Sequence, residues 1–186
     1  MELKAMPVTL TSCDKGRVKE IYMQAFAKED RMPYWLMLIM AKMKNTDFLS
    51  FYDGDTLCGF VYMATSENLT FVMFFAVEET LRSKGYGGNI LEKVLERYPK
   101  NKIVITIERC DENANNFQQR LKRKEFYLRN GYFETGYLVE LGDQKQEIII
   151  KNGAFDPKEF IRFFKKYSNG MIKPKVWSTD GFWGNA

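Results

Sequence analysis

The sequence contains no histidine among its 186 residues. This excludes catalysis by Ser-His-Asp or Cys-His groups, metal binding through imidazole and proton transfer by an imidazole base. Any proton transfer must use a carboxylate, a tyrosine, a cysteine, a lysine or water. The three cysteines, Cys13, Cys58 and Cys110, lie far apart and form no CxxC pair, so the sequence predicts neither a disulfide framework nor a metal site.

Long hydrophobic runs are also missing. The densest apolar stretch, residues 34–41, is about half as long as the roughly 20 residues that a bilayer-spanning helix needs, and residues 1–4 lack a signal-peptide core. The net charge of +4 comes from 28 basic and 24 acidic residues that are interspersed along most of the chain, which gives little support for nucleic-acid binding. We therefore expect a cytoplasmic protein with no membrane segment and no nucleic-acid partner.

Strand and helix patterns alternate along the chain. Their order is a strand, two helices, a hairpin around Asp53-Gly54-Asp55-Thr56, a strand, a helix, a strand, a helix, a second hairpin around Gly142-Asp143 and a last helix. Asp14 can cap the first helix, and Asp156-Pro157 provides the capping residue and first-turn proline of the last one. This order predicts an α/β (α+β) layer fold.

The length of the chain suits one well-buried domain and is a little short for two. We place this domain at residues 1–170. Residues 171–186 have no clear periodicity and are interpreted as an irregular C-terminal tail.

A glycine-rich segment follows the most apolar strand pattern. Residues 69–77 form an almost continuous apolar run, and Arg82-Ser83-Lys84-Gly85-Tyr86-Gly87-Gly88 then opens an amphipathic helix. Such a turn presents unpaired backbone N–H groups at a helix N-terminus, where the peptide dipoles favour an anion. The glycines allow close approach of a pyrophosphate, and the two basic residues add positive charge. The spacing fits neither a P-loop nor GxGxxG, and a purely structural glycine turn is the alternative.

Two motifs carry a resemblance to a known family. Arg82-x-x-Gly85-x-Gly87 resembles the Arg/Gln-x-x-Gly-x-Gly/Ala signature with which the GCN5-related N-acetyltransferase (GNAT) superfamily holds the pyrophosphate of coenzyme A. Phe126-Tyr127-Leu128-Arg129-Asn130-Gly131-Tyr132 is similar to the family's Phe-Tyr-x-x-x-Gly-Phe segment and follows the next strand and helix, as in the family. The resemblance covers nearly the whole chain. It implies a GNAT-like mixed, mostly antiparallel sheet of about six to seven strands flanked by helices, with acetyl-CoA as acyl donor and no metal.

The resemblance also implies the residues of the donor site. It assigns the pyrophosphate to Arg82, Ser83, Lys84, Gly85, Tyr86, Gly87 and Gly88, and it assigns backbone contacts with the thioester and pantetheine arm to Ala76 and Val77. Tyr127 is the candidate general acid, because the family places this hydroxyl beside the coenzyme sulfur and a phenol pKa of about 10 suits protonation of a thiolate. A packing role is the alternative. Seven residues before this tyrosine, where the family often has Asn, the chain departs from the family pattern and has Arg120.

No side chain is an obvious general base. Glu108 follows the strand at residues 103–107, where family members often carry an acid that draws the amine proton directly or through water, and it is our candidate. Glu78 and Glu79 after the preceding strand are alternatives, as is a water chain that ends in any of these carboxylates. An ordinary surface position explains each of them equally well.

The acceptor is not identified by the sequence. By resemblance it would bind near the first two helices, where Glu29 and Asp30 could attract a cationic amine and Tyr34, Trp35 and Met37 could form an apolar wall, although packing and solvation explain the same residues. The sequence thus predicts an acetyl-CoA-dependent N-acetyltransferase, a monomer or homodimer, whose small-molecule or peptide amine attacks the donor directly in a ternary complex. A catalytically weak acyl-CoA sensor and an unrelated nucleotide-binding α/β protein are the alternatives.

Overall fold

The computed structural model describes residues 2–141 and 144–179, which form five α-helices and eight β-strands. The predicted α/β class is confirmed. Eight strands occur where six to seven were expected, because the segment after residue 170 contains a four-residue strand, Lys175–Ser178, that the sequence did not predict. No helix in the described ranges is both long and apolar enough to cross a membrane. The chain divides into two compact units, one made of residues up to 65 and 72–99, the other of residues 66–71 and those from 100 onward.

The first unit packs helices against an antiparallel set of strands. It contains β1 (Lys4–Pro7), α1 (Lys15–Ala25), α2 (Tyr34–Met40), β2 (Thr46–Asp53), β3 (Thr56–Ser66) up to residue 65, β4 (Leu69–Val77) from residue 72, and α3 (Tyr86–Arg97). β2 pairs with β1 and with β3, and Gly54, with a left-handed φ of 56°, makes the predicted tight turn between β2 and β3. Residues 57–64 of β3 are all buried, as expected of a central strand.

The aromatic core of this unit holds α1 on the strands. The ring of Tyr22 packs edge-on against Phe60 and Phe74, with centroids 6.1 and 5.1 Å apart, and Phe48 packs against Phe60 at 5.8 Å. Such edge-to-face pairs add to the free energy gained by burying the rings. The core therefore comes from positions that alternate along β2, β3 and β4 and from one face of α1.

The second unit is an antiparallel set of strands with two helices. It contains β5 (Lys102–Glu108), α4 (Phe117–Arg129), β6 (Phe133–Leu141), β7 (Gln144–Lys151), α5 (Pro157–Tyr167) and β8 (Lys175–Ser178), and its strand order is β5-β7-β6-β8. The predicted pairing of β6 with β7 is confirmed, and the Gly142-Asp143 turn lies outside the described residues. Phe160, Phe163 and Phe164 of α5 pack on Phe71 at the start of β4, with centroids 5.2–6.1 Å apart.

The segment expected to be an irregular tail contains β8. Its four residues pair antiparallel with residues 137–140 of β6. A strand of this length is too short for a recognisable alternation, so its conformation depends on the neighbouring strand rather than on a local pattern. The rest of the tail, residues 180–186, lies outside the described residues, and the domain boundary at residue 170 stays a prediction.

Candidate functional site

The glycine-rich loop joins β4 to α3 in the first unit. After Val77, a short 3₁₀ turn at Glu79–Leu81 leads into four turn residues, and α3 begins at Tyr86. Ser83 and Gly85 have left-handed backbone, with φ of 62° and 87°. Glycine adopts this conformation without steric cost, whereas serine does so at some cost in free energy. Gly85 is the N-cap of α3, so the sharp reversal that starts the helix falls on a residue that permits it.

The first turn of α3 leaves backbone N–H groups available to an anion. The first hydrogen bond of the helix runs from the Asn89 N–H to the Gly85 carbonyl, at 3.2 Å. The N–H groups of Tyr86, Gly87 and Gly88 precede this ladder, and the helix dipole gives this end a partial positive charge. Gly87 and Gly88 have helical backbone, so no unusual φ requires glycine at these positions. Their lack of a side chain instead leaves room for an anion to approach the backbone. The turn has the geometry of a phosphate-binding helix N-terminus.

The charged side chains around the loop are mostly free to move. Arg82 and Lys84 are exposed. Among the described residues of the loop, one ion pair occurs, and it joins Arg82 Nη1 to Glu79 Oε1 at 3.8 Å. An exposed pair of this kind stabilises little, so the guanidinium can turn toward a ligand. The Glu78 carboxylate accepts the Glu79 N–H at 2.9 Å and caps the 3₁₀ turn. The two alternative bases therefore both have local structural contacts.

Gly59 brings β3 unusually close to the end of β4. A Cβ atom at this position would lie 2.3 Å from the Ala76 carbonyl oxygen and 3.1 Å from the Val77 Cα, so no other residue fits without displacing the backbone. The Glu78 N–H donates to the Cys58 carbonyl at 2.9 Å. β3 thus fixes the backbone of the two residues expected to contact the pantetheine arm. Our reading of the sequence missed Gly59, although an isolated glycine within a strand signals close backbone approach.

Tyr127 lies on α4 in the second unit and is 6% exposed. Its ring packs against Phe126 and Tyr132, with centroids 5.1 and 5.6 Å apart. Burial raises the pKa of Tyr127 to about 12, although the Arg123 cation opposes the shift. The hydroxyl therefore stays protonated at neutral pH, as a general acid must. Gly131, with φ of 77°, is the left-handed glycine that follows the end of α4.

Glu108, the last residue of β5, is held by two arginines of α4. Its Oε1 lies 3.2 Å from Arg120 Nη2, and its Oε2 lies 2.5 Å from Arg123 Nη1. Arg120 also donates to Asn116 Oδ1 at 2.7 Å and to the Arg109 carbonyl at 2.9 Å. Arg120, where the family often has Asn, therefore has a structural role within this unit. An amine proton would have to compete with two guanidinium groups for the Glu108 carboxylate.

The residues expected to form an acceptor wall have different environments. Met37 is buried in the core, whereas Trp35 is 63% exposed. The Tyr34 hydroxyl donates to the first carbonyl of α1 at 2.7 Å and ties the two helices together. Glu29 is exposed on a short 3₁₀ turn, and Asp30 beside it is partly buried. Core packing therefore explains Met37, and the five residues lie in environments that range from the core to the surface.

The described residues include cysteines and carboxylates that could bind a metal only if they were grouped. In the part of the chain that the structure describes, no three Cys, Asp or Glu side chains are grouped so that they could hold an ion. Cys13 is exposed, Cys58 is buried, Cys110 is partly buried, and all three are free thiols. The expectation that the reaction uses no metal stays a prediction.

Comparisons with known proteins agree with this geometry. A model of the acetyltransferase (GNAT) family matches residues 16–132, which include the loop and the Tyr127 segment, while no curated protein matches significantly. A protein from Bacteroides thetaiotaomicron described as a GNAT-family acetyltransferase is 22% identical with a TM-score of 0.71, over 88% of this chain and 94% of that one. The ribosomal-protein-S18-alanine N-acetyltransferase of Escherichia coli is 10% identical with a TM-score of 0.59, over 84% and 97%. PaiA N-acetyltransferase of Thermoplasma acidophilum, in complex with coenzyme A, is 17% identical with a TM-score of 0.54, over 81% and 99%. The predicted fold is confirmed.

Proposed function

This chain belongs to the acetyltransferase (GNAT) family, and we propose that it transfers the acetyl group of acetyl-CoA to a primary amine of a small molecule or peptide. The observation that carries this proposal is the loop at residues 82–88, whose left-handed residues and unpaired first-turn N–H groups suit a pyrophosphate. The coenzyme A complex of the structurally similar PaiA supports the choice of donor.

In this proposal the first unit binds the donor. The backbone N–H groups at the start of α3 donate to the pyrophosphate, and the Arg82 and Lys84 side chains neutralise part of its charge. Ala76 and Val77 offer backbone groups to the pantetheine arm, and the missing side chain of Gly59 leaves room for their backbone beside β3. The contacts in this proposal use backbone groups and the exposed side chains of Arg82 and Lys84.

The reaction moves one proton off the amine and one onto the sulfur. Attack by a neutral amine forms a C–N bond to the acetyl carbon and breaks its C–S bond, with no covalent enzyme intermediate. We assign the proton that the departing sulfur gains to the Tyr127 hydroxyl. We assign the proton that the nitrogen loses to Glu108, with Glu78, Glu79 or a water chain as the alternatives.

Ligand-induced stabilisation tests the donor assignment. Acetyl-CoA and CoA at about 100 times their Kd should stabilise the folded chain by about 2.7 kcal/mol, which raises the melting temperature by roughly 5–10 °C. ATP and NAD at the same concentration should leave it unchanged. A shift with ATP or NAD but with neither CoA compound would contradict the proposal. Release of free thiol with a panel of amines, polyamines, aminoglycosides, amino acids and peptides would then identify the acceptor.

Glu108→Gln tests the base. We expect kcat/KM to fall by about a hundredfold, because the amide cannot accept the amine proton. Glu125→Gln on the exposed surface of α4 is the matched control and should leave kcat/KM unchanged. If Glu108→Gln keeps the wild-type kcat/KM, the proton goes to one of the alternative carboxylates or to water.

A second candidate function is an acyl-CoA sensor with little turnover. The observation in its favour is the double ion pair of Glu108 with Arg120 and Arg123, which occupies both carboxylate oxygens. A sensor would show the CoA-induced stabilisation without thiol release for any amine. Measurable turnover with one acceptor would exclude it.

A further inference from the structure

Both ends of α3 are bonded to β2 by a tyrosine–aspartate pair. At the N-terminal end, the Tyr86 hydroxyl donates to Asp53 Oδ2 at 2.9 Å. At the C-terminal end, the hydroxyl of Tyr98, the C-cap residue, donates to Asp47 Oδ2. Arg97 adds a two-pronged ion pair with Asp47, at 2.9 and 2.8 Å. The helix is therefore held at both ends by the same strand.

The lengths of the two elements match. The aspartates are six residues apart on β2, and the tyrosines are twelve apart along α3. At about 3.3 Å per strand residue and about 1.5 Å per helical residue, these separations are roughly 20 and 18 Å. Because the end of β2 meets the start of α3, the helix runs antiparallel along the strand. Each pair can form without stretching the other.

The N-terminal pair also closes the glycine-rich loop. The Glu78 N–H donates to the Cys58 carbonyl where the chain leaves β4, and Tyr86 bonds to Asp53 where it enters α3. The β2–β3 hairpin thus holds both ends of the loop, while residues 82–85 between them are exposed. From this arrangement we infer that Asp53 is a positioning residue, which acts through the Tyr86 hydroxyl to fix the first turn of α3 for the pyrophosphate. The inference rests on the proposed donor site.

The physical basis is preorganisation of the anion site. The first turn of a helix frays most readily, and a first turn that is ordered only on binding loses part of the binding free energy to that ordering. A hydrogen bond to a charged carboxylate is stronger than a neutral one. The bond to Asp53, with burial, raises the pKa of Tyr86, so the hydroxyl remains a donor across the neutral range. The N–H groups of Gly87 and Gly88 follow directly in the same turn.

Tyr86→Phe and Asp53→Ala test this inference by calorimetric titration with CoA. Each should raise the Kd roughly tenfold, and the double variant should bind no more weakly than either single variant, because both lose the same bond. Asp53→Asn should restore binding close to the wild-type value, since its amide oxygen accepts the same hydrogen bond. The kcat at saturating acetyl-CoA should be unchanged in the two Asp53 variants.

Tyr98→Phe is the matched control, because it breaks the equivalent bond at the other end of α3. It should lower the melting temperature and leave the Kd for CoA unchanged. An unchanged Kd in Tyr86→Phe, or an equal rise in Tyr98→Phe, would overturn the positioning role. Failure of the wild-type protein to bind CoA would instead overturn the proposed donor site, so the two failures are distinguishable.

Discussion

Gly87→Glu will weaken the binding of CoA by roughly a thousandfold, equivalent to about 4 kcal/mol. Gly87 is the second residue of α3, and its N–H belongs to the turn that precedes the helical hydrogen bonds. A glutamate side chain there fills the space that the glycine leaves and sets a carboxylate against the negative pyrophosphate. Like charges a few ångströms apart in a partly buried site repel strongly.

The same substitution should not unfold the protein. The backbone at Gly87 is helical, so a side chain brings no strain in φ, and glutamate forms helices better than glycine. A negative charge in the first turn also interacts favourably with the helix dipole, by about 0.3–1 kcal/mol. We therefore expect an unchanged or higher melting temperature in the absence of ligand. Stable folding together with lost binding would separate an effect on the site from an effect on stability.

Two further variants at this position separate the effect of side-chain size on CoA binding from the effect of side-chain charge. Gly87→Gln adds nearly the same bulk without a charge, and Gly87→Ala adds only a methyl group. Calorimetric titration with CoA should give the order alanine, glutamine, glutamate from tightest to weakest. If the glutamate variant binds CoA like the wild-type protein, the pyrophosphate lies elsewhere on the molecule.

The capping residues in the sequence predicted the start of two helices, but only one of the two predicted N-cap hydrogen bonds forms. Asp156 caps α5 as expected, with its carboxylate accepting the Lys158 N–H at 2.9 Å and proline in the first turn. Asp14 occupies the N-cap position of α1, but its carboxylate accepts the Tyr52 hydroxyl at 2.8 Å instead of a helix N–H. The partner of Asp156 is two residues away, and that of Asp14 is on β2. Only the first kind of contact leaves a signature in neighbouring residues.

In the candidate site, too, local patterns were predictable from the sequence, whereas contacts between elements were not. The loop at residues 82–88 has a local pattern, because glycine spacing, flanking charge and the apolar strand before it are all adjacent in the sequence. The bond between Tyr86 and Asp53 and the ion pairs of Arg120 with Glu108 join residues on different elements. These pairs form only after the strands and helices have packed, so the residues appear in the sequence as ordinary surface positions. The loop was therefore predictable as a candidate donor site, and its supporting contacts were not.

Tyr127→Phe should lower kcat by about 10²–10⁴-fold and change the Kd for acetyl-CoA by less than about threefold. The substitution removes only the hydroxyl, so the ring keeps its packing against Phe126 and Tyr132. If that hydroxyl supplies the proton to the sulfur, its loss acts on the chemical step and leaves donor binding nearly unchanged. Tyr132→Phe is the matched control, because it removes the hydroxyl of the neighbouring buried ring, and it should keep the wild-type kcat.

The pH dependence of kcat gives an independent test of this acid. An acid works only while it is protonated, and burial raises the pKa of Tyr127 to about 12, so kcat should not fall through this group between pH 8 and about 10.5. Desolvation disfavours every anion, so it would also raise the pKa of the departing thiol. Because both pKa values rise, the phenol can still transfer its proton to the thiolate and assist its departure. A loss of kcat centred near pH 10 in the wild-type protein and absent in Tyr127→Phe would contradict the raised pKa. An unchanged kcat in Tyr127→Phe would remove Tyr127 as the acid and leave its burial as a packing role.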